Sequence, residues 1–157
     1  MSITNREIYN NALVHIGESA YSTNTGDYES RAPYLIAAFC STAKSIDKQI
    51  RKKEGLATQS NFSPVCLSLS DYFPLCDRLA SAAALYVASI LVIDEDSELS
   101  DSLYDKYCDN IASVAAEIEA VSAGSSSSGS TSSDSSDTED STTSATCESI
   151  TERYFFD

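Results

Sequence analysis

The chain has 157 residues, with 24 acidic and 10 basic side chains and a formal net charge of −14. This length suits one domain, and the negative charge argues against a protein that grips nucleic acid phosphates or an anionic membrane. The five cysteines have no Cys-x-x-Cys spacing and accompany one histidine, so the composition argues against zinc and favours reduced thiols.

The first predicted helix covers residues 4–17. Thr4 and Glu7 have the spacing of a capping box, which pairs two free backbone N–H groups at a helix start. Apolar residues then recur at helical spacing until Gly17, a residue typical of a helix C-terminus. His15 lies beside the apolar face without a second histidine, which favours a surface residue over a metal ligand or base.

A second helix is predicted over residues 29–54, and two starts are open. If Ser30 is the cap, Pro33 falls in the first turn and costs nothing, whereas a cap at Asp27 makes Pro33 remove one hydrogen bond and bend the helix. The C-terminal half carries half of all the basic residues, namely Lys44, Lys48, Arg51, Lys52 and Lys53. These five form either a solvated face near the negative helix end or a subunit interface that meets an acidic neighbour.

The third predicted helix, over residues 71–94, is apolar on every side after Arg78. Such a helix must be surrounded by other parts of the protein, and its apolar stretch is shorter than the roughly 20 residues that span a bilayer. We therefore expect a central core helix, part of whose surface meets another subunit. Asp71 or Ser70 is expected to cap it, with Pro74 in the first turn.

The acidic turn at residues 94–101 places carboxylates at the first, third and fifth positions of a calcium loop. Leu99 stands where that loop needs glycine, and Asp105 where it needs a bidentate glutamate, so no metal site is expected. The favoured interpretation is a helix cap at Ser97 or Ser100, followed by a fourth helix.

The last third of the chain separates into two parts. Residues 124–147 form an acidic, Ser/Thr-rich linker with nothing to bury. Residues 148–157 bring back apolar and aromatic side chains, and either fold back on the core or form a C-terminal docking segment for a partner. The long tether favours docking. The predicted partner-binding residues are Ile150, Arg153, Tyr154, Phe155 and Phe156.

These patterns predict an all-α protein, a small four-helix bundle with a long, extended, Ser-rich C-terminal tail. The predicted helices lie near residues 4–17, 29–54, 71–94 and 99–123. Residues 1–123 form the helical domain, followed by the linker and the docking segment. The opening residues lack the apolar stretch of a secretory signal.

Three runs of the sequence resemble the head–tail connector (adaptor, or neck ring) proteins of tailed bacteriophages. The first is Asp27-Tyr28-Glu29-Ser30-Arg31-Ala32-Pro33-Tyr34-Leu35, with Phe39-Cys40 beyond it. The second is Leu69-Ser70-Asp71-Tyr72-Phe73-Pro74-Leu75-Cys76-Asp77-Arg78-Leu79-Ala80. The third is Asp94-Glu95-Asp96 leading to Leu103-Tyr104-Asp105-Lys106-Tyr107. The resemblance covers about residues 3–123.

The resemblance implies a structural virion protein of the neck, between capsid and tail, assembled in the host cytoplasm. It implies a helical bundle that forms a homo-oligomeric ring under the portal, typically of twelve copies. The implied partners are the portal protein, to which the tail often reaches in such families, and the next neck or tail protein. Double-stranded DNA would pass through the channel without specific binding.

The residues themselves show no catalytic constellation, because no nucleophile with a plausible base and no Gly-rich phosphate loop is present. We therefore predict a protein that is not an enzyme and has no cofactor. Two other classes stay open at this stage. One is a cellular helical adaptor module with a C-terminal docking motif, and the other is an acidic, metal-dependent hydrolase built on residues 94–105.

Overall fold

Five α-helices follow one another in the described part of the chain: α1 (Asn5–His15), α2 (Gly26–Thr42), α3 (Lys44–Glu54), α4 (Ala80–Val92) and α5 (Ser97–Ala123). The computed structural model describes residues 2–18, 26–57 and 66–123, and side chains as far as residue 119. Within these ranges no strand forms, and the protein is an all-α bundle as the sequence predicts. The predicted linker and docking segment lie outside the described residues.

The start of α1 has the predicted capping box. The Glu7 N–H donates to Thr4 Oγ1 at 3.3 Å, and the Thr4 N–H donates to Glu7 Oε2 at 2.7 Å. The Thr4 N–H and the Thr4 hydroxyl both donate to the Glu7 carboxylate, and these two hydrogen bonds lower the pKa of that group. At the other end of the helix, Gly17 adopts a φ of 78°, a left-handed conformation that glycine reaches without strain.

The predicted second helix is divided in two at Ala43. The hydroxyl groups of Ser41 and Thr42 donate to backbone carbonyls of the preceding turn, which competes with the regular helical pattern and favours a bend. Because α2 begins at Gly26, Ser30 and Asp27 both lie inside the helix and neither predicted cap is right, while Pro33 lies in the helix interior, where its missing N–H removes one hydrogen bond. The Ser30 hydroxyl instead donates to the Asp27 carbonyl.

The third helix begins nine residues later than the sequence predicts, because α4 starts at Ala80 after a short 3₁₀ turn at Asp77–Leu79. The caps at Ser70 and Asp71 and the first-turn position of Pro74 are therefore wrong. The preceding residues pair with the N-terminal segment, since Asn5 N–H donates to the Asp71 carbonyl and Phe73 N–H to the Ile3 carbonyl. Asn5 is fully buried there, and its Nδ2 donates to the Ser68 carbonyl.

The α4 helix lies at the centre of the bundle, in contact with α1, α2 and α5. Its alanines and branched apolar residues are buried almost all round, as predicted for a core helix. Three neighbouring helices of the same chain supply this burial. The expectation that part of its surface meets another subunit stays a prediction.

Short polar contacts join α4 to α5. The Leu99 N–H donates to Asp96 Oδ1 at 2.9 Å, so Asp96 caps α5 and the predicted caps at Ser97 and Ser100 are wrong. The buried Ser100 hydroxyl donates to the Ser89 carbonyl of α4 at 2.9 Å. Among the described residues, no helix is long and apolar enough to cross a membrane.

The cysteines differ from the expectation of buried, reduced thiols. Cys108 is disulfide-bonded, whereas Cys40, Cys66 and Cys76 are free. Of these three, only Cys40 is buried, and its burial raises the pKa of the thiol to about 12. Cys40 therefore behaves as an apolar core residue.

Candidate assembly surface

The five basic residues predicted as a subunit interface lie in different surroundings on α3. Lys48 and Lys52 are exposed, and Lys44 and Lys53 are half-buried. The Lys53 ammonium group donates to the Glu117 carbonyl of α5 at 3.2 Å. We call Lys48, Gln49, Lys52 and Lys53 the basic end of α3.

Arg51 is mostly buried and is paired within α3. Its Nε–H donates to Asp47 Oδ2 at 2.8 Å, and the two side chains are 17% and 5% exposed. The other carboxylate oxygen of Asp47 accepts the Cys76 N–H at 2.6 Å. Arg51 therefore helps to fix the segment before the 3₁₀ turn against α3, and its assignment to a subunit interface stays a prediction.

Arg78 joins three elements at the same end of the bundle. Its guanidinium group donates to Glu54 of α3 at 3.0 Å, and its Nη2 pairs with the Glu117 carboxylate of α5. Exposed ion pairs of this kind each contribute only about 0–1 kcal/mol. Their main consequence is geometric, because they hold the end of α3 beside the 3₁₀ turn and α5.

A cleft of about 530 Å³ opens between the end of α3 and the segment before α4. It is lined by Ser2, Arg51, Glu54, Leu56, Tyr72, Phe73, Pro74, Leu75, Cys76, Asp77 and Arg78. Of the residues that line it, Tyr72 is 69% exposed and Leu56 is 47% exposed. We call this the Tyr72 cleft.

A second concavity lies between α3 and α5. It has a volume of about 450 Å³ and is lined by Gln49, Lys52, Lys53 and Ile118. The basic end of α3 thus contributes to this groove, while the last turn of the same helix contributes Glu54 to the Tyr72 cleft. This end of the molecule combines exposed apolar side chains, exposed positive charge and two concave surfaces.

An aromatic cluster lies in the core and reaches the surface at Tyr104. Phe39 packs against Phe73, Tyr86 and Tyr107, and Tyr104 packs against Tyr107 with ring centroids 5.4 Å apart. Burial raises the pKa of Tyr107 to about 12 and also raises that of Tyr86. The rings lie at stacked, tilted and edge-to-face angles typical of packing, so this cluster supports the fold.

The acidic turn between α4 and α5 is anchored from within the chain. The Arg31 guanidinium lies 3.7 Å from the Asp27 carboxylate and 4.0 Å from that of Asp94. Desolvation, together with a hydrogen bond to Glu95, raises the pKa of Tyr28 to about 12. Across residues 2–18, 26–57 and 66–123, no group of three or more His, Cys, Asp or Glu side chains is arranged to hold a metal ion.

The remaining predicted site residues are Ile150, Arg153, Tyr154, Phe155 and Phe156, which lie outside the described residues. His15 is exposed at the end of α1. Sequence reasoning missed Tyr72, Leu56 and Arg78. The sequence pattern places Tyr72 in a helix, although the nearby Pro74 is a signal for an irregular segment.

Comparisons with protein-family models, curated proteins and solved structures found no match for this chain.

Proposed function

We propose that the protein is a head–tail connector (adaptor) of a tailed bacteriophage. In this role, copies of the chain form a ring under the portal that joins the capsid to the tail and surrounds the DNA channel. The observation that carries the proposal is the resemblance of three sequence runs to that class of protein.

The contacts of the three runs support a structural role. Arg31 of the first run lies near Asp94 of the third, and the Pro33 carbonyl accepts the N–H of Leu67, just before the second run. In the second run, Cys76 N–H binds Asp47 of α3. The residues that carry the resemblance are thus used to hold helices together.

The distribution of charge also supports the proposal. A net charge of −14 repels DNA, which suits a channel through which DNA must slide without being held. The exposed Lys48 and Lys52 are concentrated at one end of one helix, as expected for a protein contact between charged subunits. The proposed partners are other copies of the chain, the portal protein and the next neck or tail protein.

The proposal is tested with a phage whose genome encodes this chain, by placing an amber codon early in the gene. Growth in a non-suppressing host should yield filled or leaking heads without tails, and the wild-type gene supplied in trans should restore complete particles. Cryo-electron microscopy of the complemented particles should then locate the protein as a ring at the neck. Normal, infectious particles without the protein would contradict the proposal and favour the cellular adaptor module.

A further inference from the structure

We propose that the basic end of α3 docks against an acidic stripe at the start of α5 in a second copy of the chain. The acidic stripe is defined by Glu98, Asp101 and Asp105. This inference rests on the proposed function, because it identifies the contact that links one subunit of a ring to the next. It commits each of two charged helix faces to a single occupant, which is the oppositely charged face of another copy.

The exposed face of α3 carries positive charge that is not paired within the described chain. Lys48 and Lys52 are exposed and stand four positions apart, so they are neighbours on one face of the helix. Among the residues whose side chains the structure describes, neither lysine has an ion-pair partner. Glu54 and Glu117 lie at this end of the bundle, but both pair with Arg78. The two lysines are therefore available to carboxylates of another molecule.

The acidic stripe presents the complementary charge. Its three residues are exposed and stand three and four positions apart, which places them on one face of α5. None of the three forms an ion pair with the part of the chain that the structure describes. Neighbouring carboxylates at this spacing repel one another. A positively charged surface laid over the stripe relieves that repulsion, whereas most of the surface of a chain with a net charge of −14 would add to it.

The two charged faces are too far apart to meet within one chain. The Lys53 ammonium group donates to the Glu117 carbonyl, so the basic end of α3 lies beside the later part of α5. From Asp101 to Glu117 the helix rises by about 24 Å. This distance is about three times the Debye length of about 8 Å at physiological ionic strength, so the attraction between the two faces of a single copy is largely screened. A second copy can bring the opposite charges into contact.

The spacing of the charges allows the two faces to pair. Asp101 and Asp105 stand four positions apart on α5, as do the two exposed lysines on α3. Each lysine can therefore meet one carboxylate when the two helices lie side by side. The contact joins unlike surfaces, and every copy has one of each kind to offer. Such a heterologous contact forms a ring when the rotation between successive copies closes, and a filament when it does not. The ring is the outcome that the proposed function requires.

Exchanging the charges tests the contact in the full-length chain. The basic-face variant carries Lys48→Glu and Lys52→Glu, and the acidic-face variant carries Asp101→Lys and Asp105→Lys. In sedimentation velocity, the wild-type chain should associate as its concentration rises. Either variant alone should raise the dissociation constant by about tenfold or more, because like charges then face one another. A combined variant with all four exchanges should restore association, because opposite charges face one another again.

The acidic-face variant separates this contact from general repulsion between acidic chains. Its two substitutions make the net charge of −14 less negative, so general repulsion predicts stronger association, whereas the proposed contact predicts weaker association. Asp71→Lys is the matched control, since Asp71 is exposed and lies outside both helices. Association should survive this change. Its loss in the control, a wild-type chain that stays monomeric at all concentrations, or a combined variant that keeps its helical circular dichroism without recovering association would each overturn the inference.

A second measurement needs no variant. Wild-type chains with light isotopes are mixed with wild-type chains with heavy isotopes and treated with a carbodiimide, which joins a lysine to a carboxylate that it contacts. Mass spectrometry should find light–heavy crosslinks from Lys48 or Lys52 to Asp101 or Asp105. Their absence, or crosslinks from these lysines only to other acidic residues, would refute the inference. Failure here leaves the virion experiment intact, and absence of the protein from virions leaves this binding measurement intact, so the two proposals fail separately.

Discussion

Asp47 is a single buried carboxylate that determines where the chain runs before the central helix. One oxygen binds Arg51 on the same helix, and the other binds the Cys76 N–H across a gap of 29 residues in sequence. The Asp47 carboxylate can stay charged in the interior because both of its oxygens accept a hydrogen bond there.

Removal of this carboxylate gives the first prediction. Asp47→Ala should lower the free energy of unfolding by about 3 kcal/mol, because it leaves Arg51 partly buried without its charge partner and the Cys76 N–H without its acceptor. Asp47→Asn retains an acceptor and should cost less. Urea denaturation provides the measurement. The control is Lys48→Ala, an exposed change on the same helix expected to have an effect within about 0.5 kcal/mol, and equal losses for Lys48→Ala and Asp47→Ala would contradict the role of Asp47.

Tyr107 gives the second prediction, on alkaline stability. Burial raises the pKa of its hydroxyl to about 12, whereas the pKa of tyrosine in an unfolded chain is about 10. Between these values the unfolded state releases a proton that the folded state keeps. The contribution of Tyr107 to stability is therefore complete below pH 10 and is lost as the pH rises towards 12, by up to about 1.4 kcal/mol per pH unit.

Tyr107→Phe should remove this contribution to the pH dependence. Urea denaturation at about pH 9 and about pH 11 should show a smaller loss of stability in the variant than in the wild type. Tyr34→Phe makes the same chemical change at an exposed position and serves as the matched control. Identical pH dependence in the wild type and in Tyr107→Phe would contradict the assignment.

At the scale of elements, the sequence predicts best what is decided locally. The capping box of Thr4 and Glu7 and the end of α3 at Gly55, which adopts a φ of 66°, depend on residues only a few positions apart. The start of α4 depends instead on pairing between the N-terminal segment and Phe73, which lies 70 residues from Ile3. The apolar periodicity cannot reveal that this long-range pairing replaces the helix over residues 71–73. The sequence pattern therefore extends the predicted helix back to Asp71.

The alanines of α4 give the third prediction, because they set the spacing of the bundle. Ala83 is fully buried in the helix that α1, α2 and α5 surround. Ala83→Leu keeps helix propensity nearly unchanged but adds volume to a packed core, and it should lower the free energy of unfolding by about 1–3 kcal/mol. Ser81→Leu adds the same side chain at an exposed position of α4 and should leave the thermal midpoint nearly unchanged. A similar loss in both variants would show that packing at position 83 is not the cause.

At the scale of the whole molecule, the candidate surface was only partly visible in the sequence. The clustering of lysines is a property of composition and predicts the exposed Lys48 and Lys52. The part that Arg51 and Asp47 play in the fold depends on a long-range contact, because Asp47 also accepts the Cys76 N–H. The sequence does not reveal this contact. The Tyr72 cleft likewise exists only because residues 72–78 leave the helical path and lie against the end of α3.

The segregation of charge leads to the last prediction, on ionic strength. If the basic end of α3 meets an acidic surface of a neighbouring subunit, then association of the wild-type chain should weaken as salt screens the attraction. Lys48→Glu with Lys52→Glu should leave the bundle folded, because both side chains are exposed, and should reduce association as well as its dependence on salt. Arg51 is left unchanged in this variant, since its loss would disturb the fold.

Sedimentation velocity at low and high sodium chloride measures both effects, and circular dichroism verifies the helical content of each variant. Lys106→Glu is the matched control, because Lys106 is an exposed lysine on α5 that lines neither concavity. The control changes the net charge in the same direction by half as much, so it separates a local effect at α3 from general repulsion between more acidic chains. Association of the double variant at the wild-type level, or an equal weakening by Lys106→Glu, would show that the basic end of α3 is a solvated helix face and nothing more.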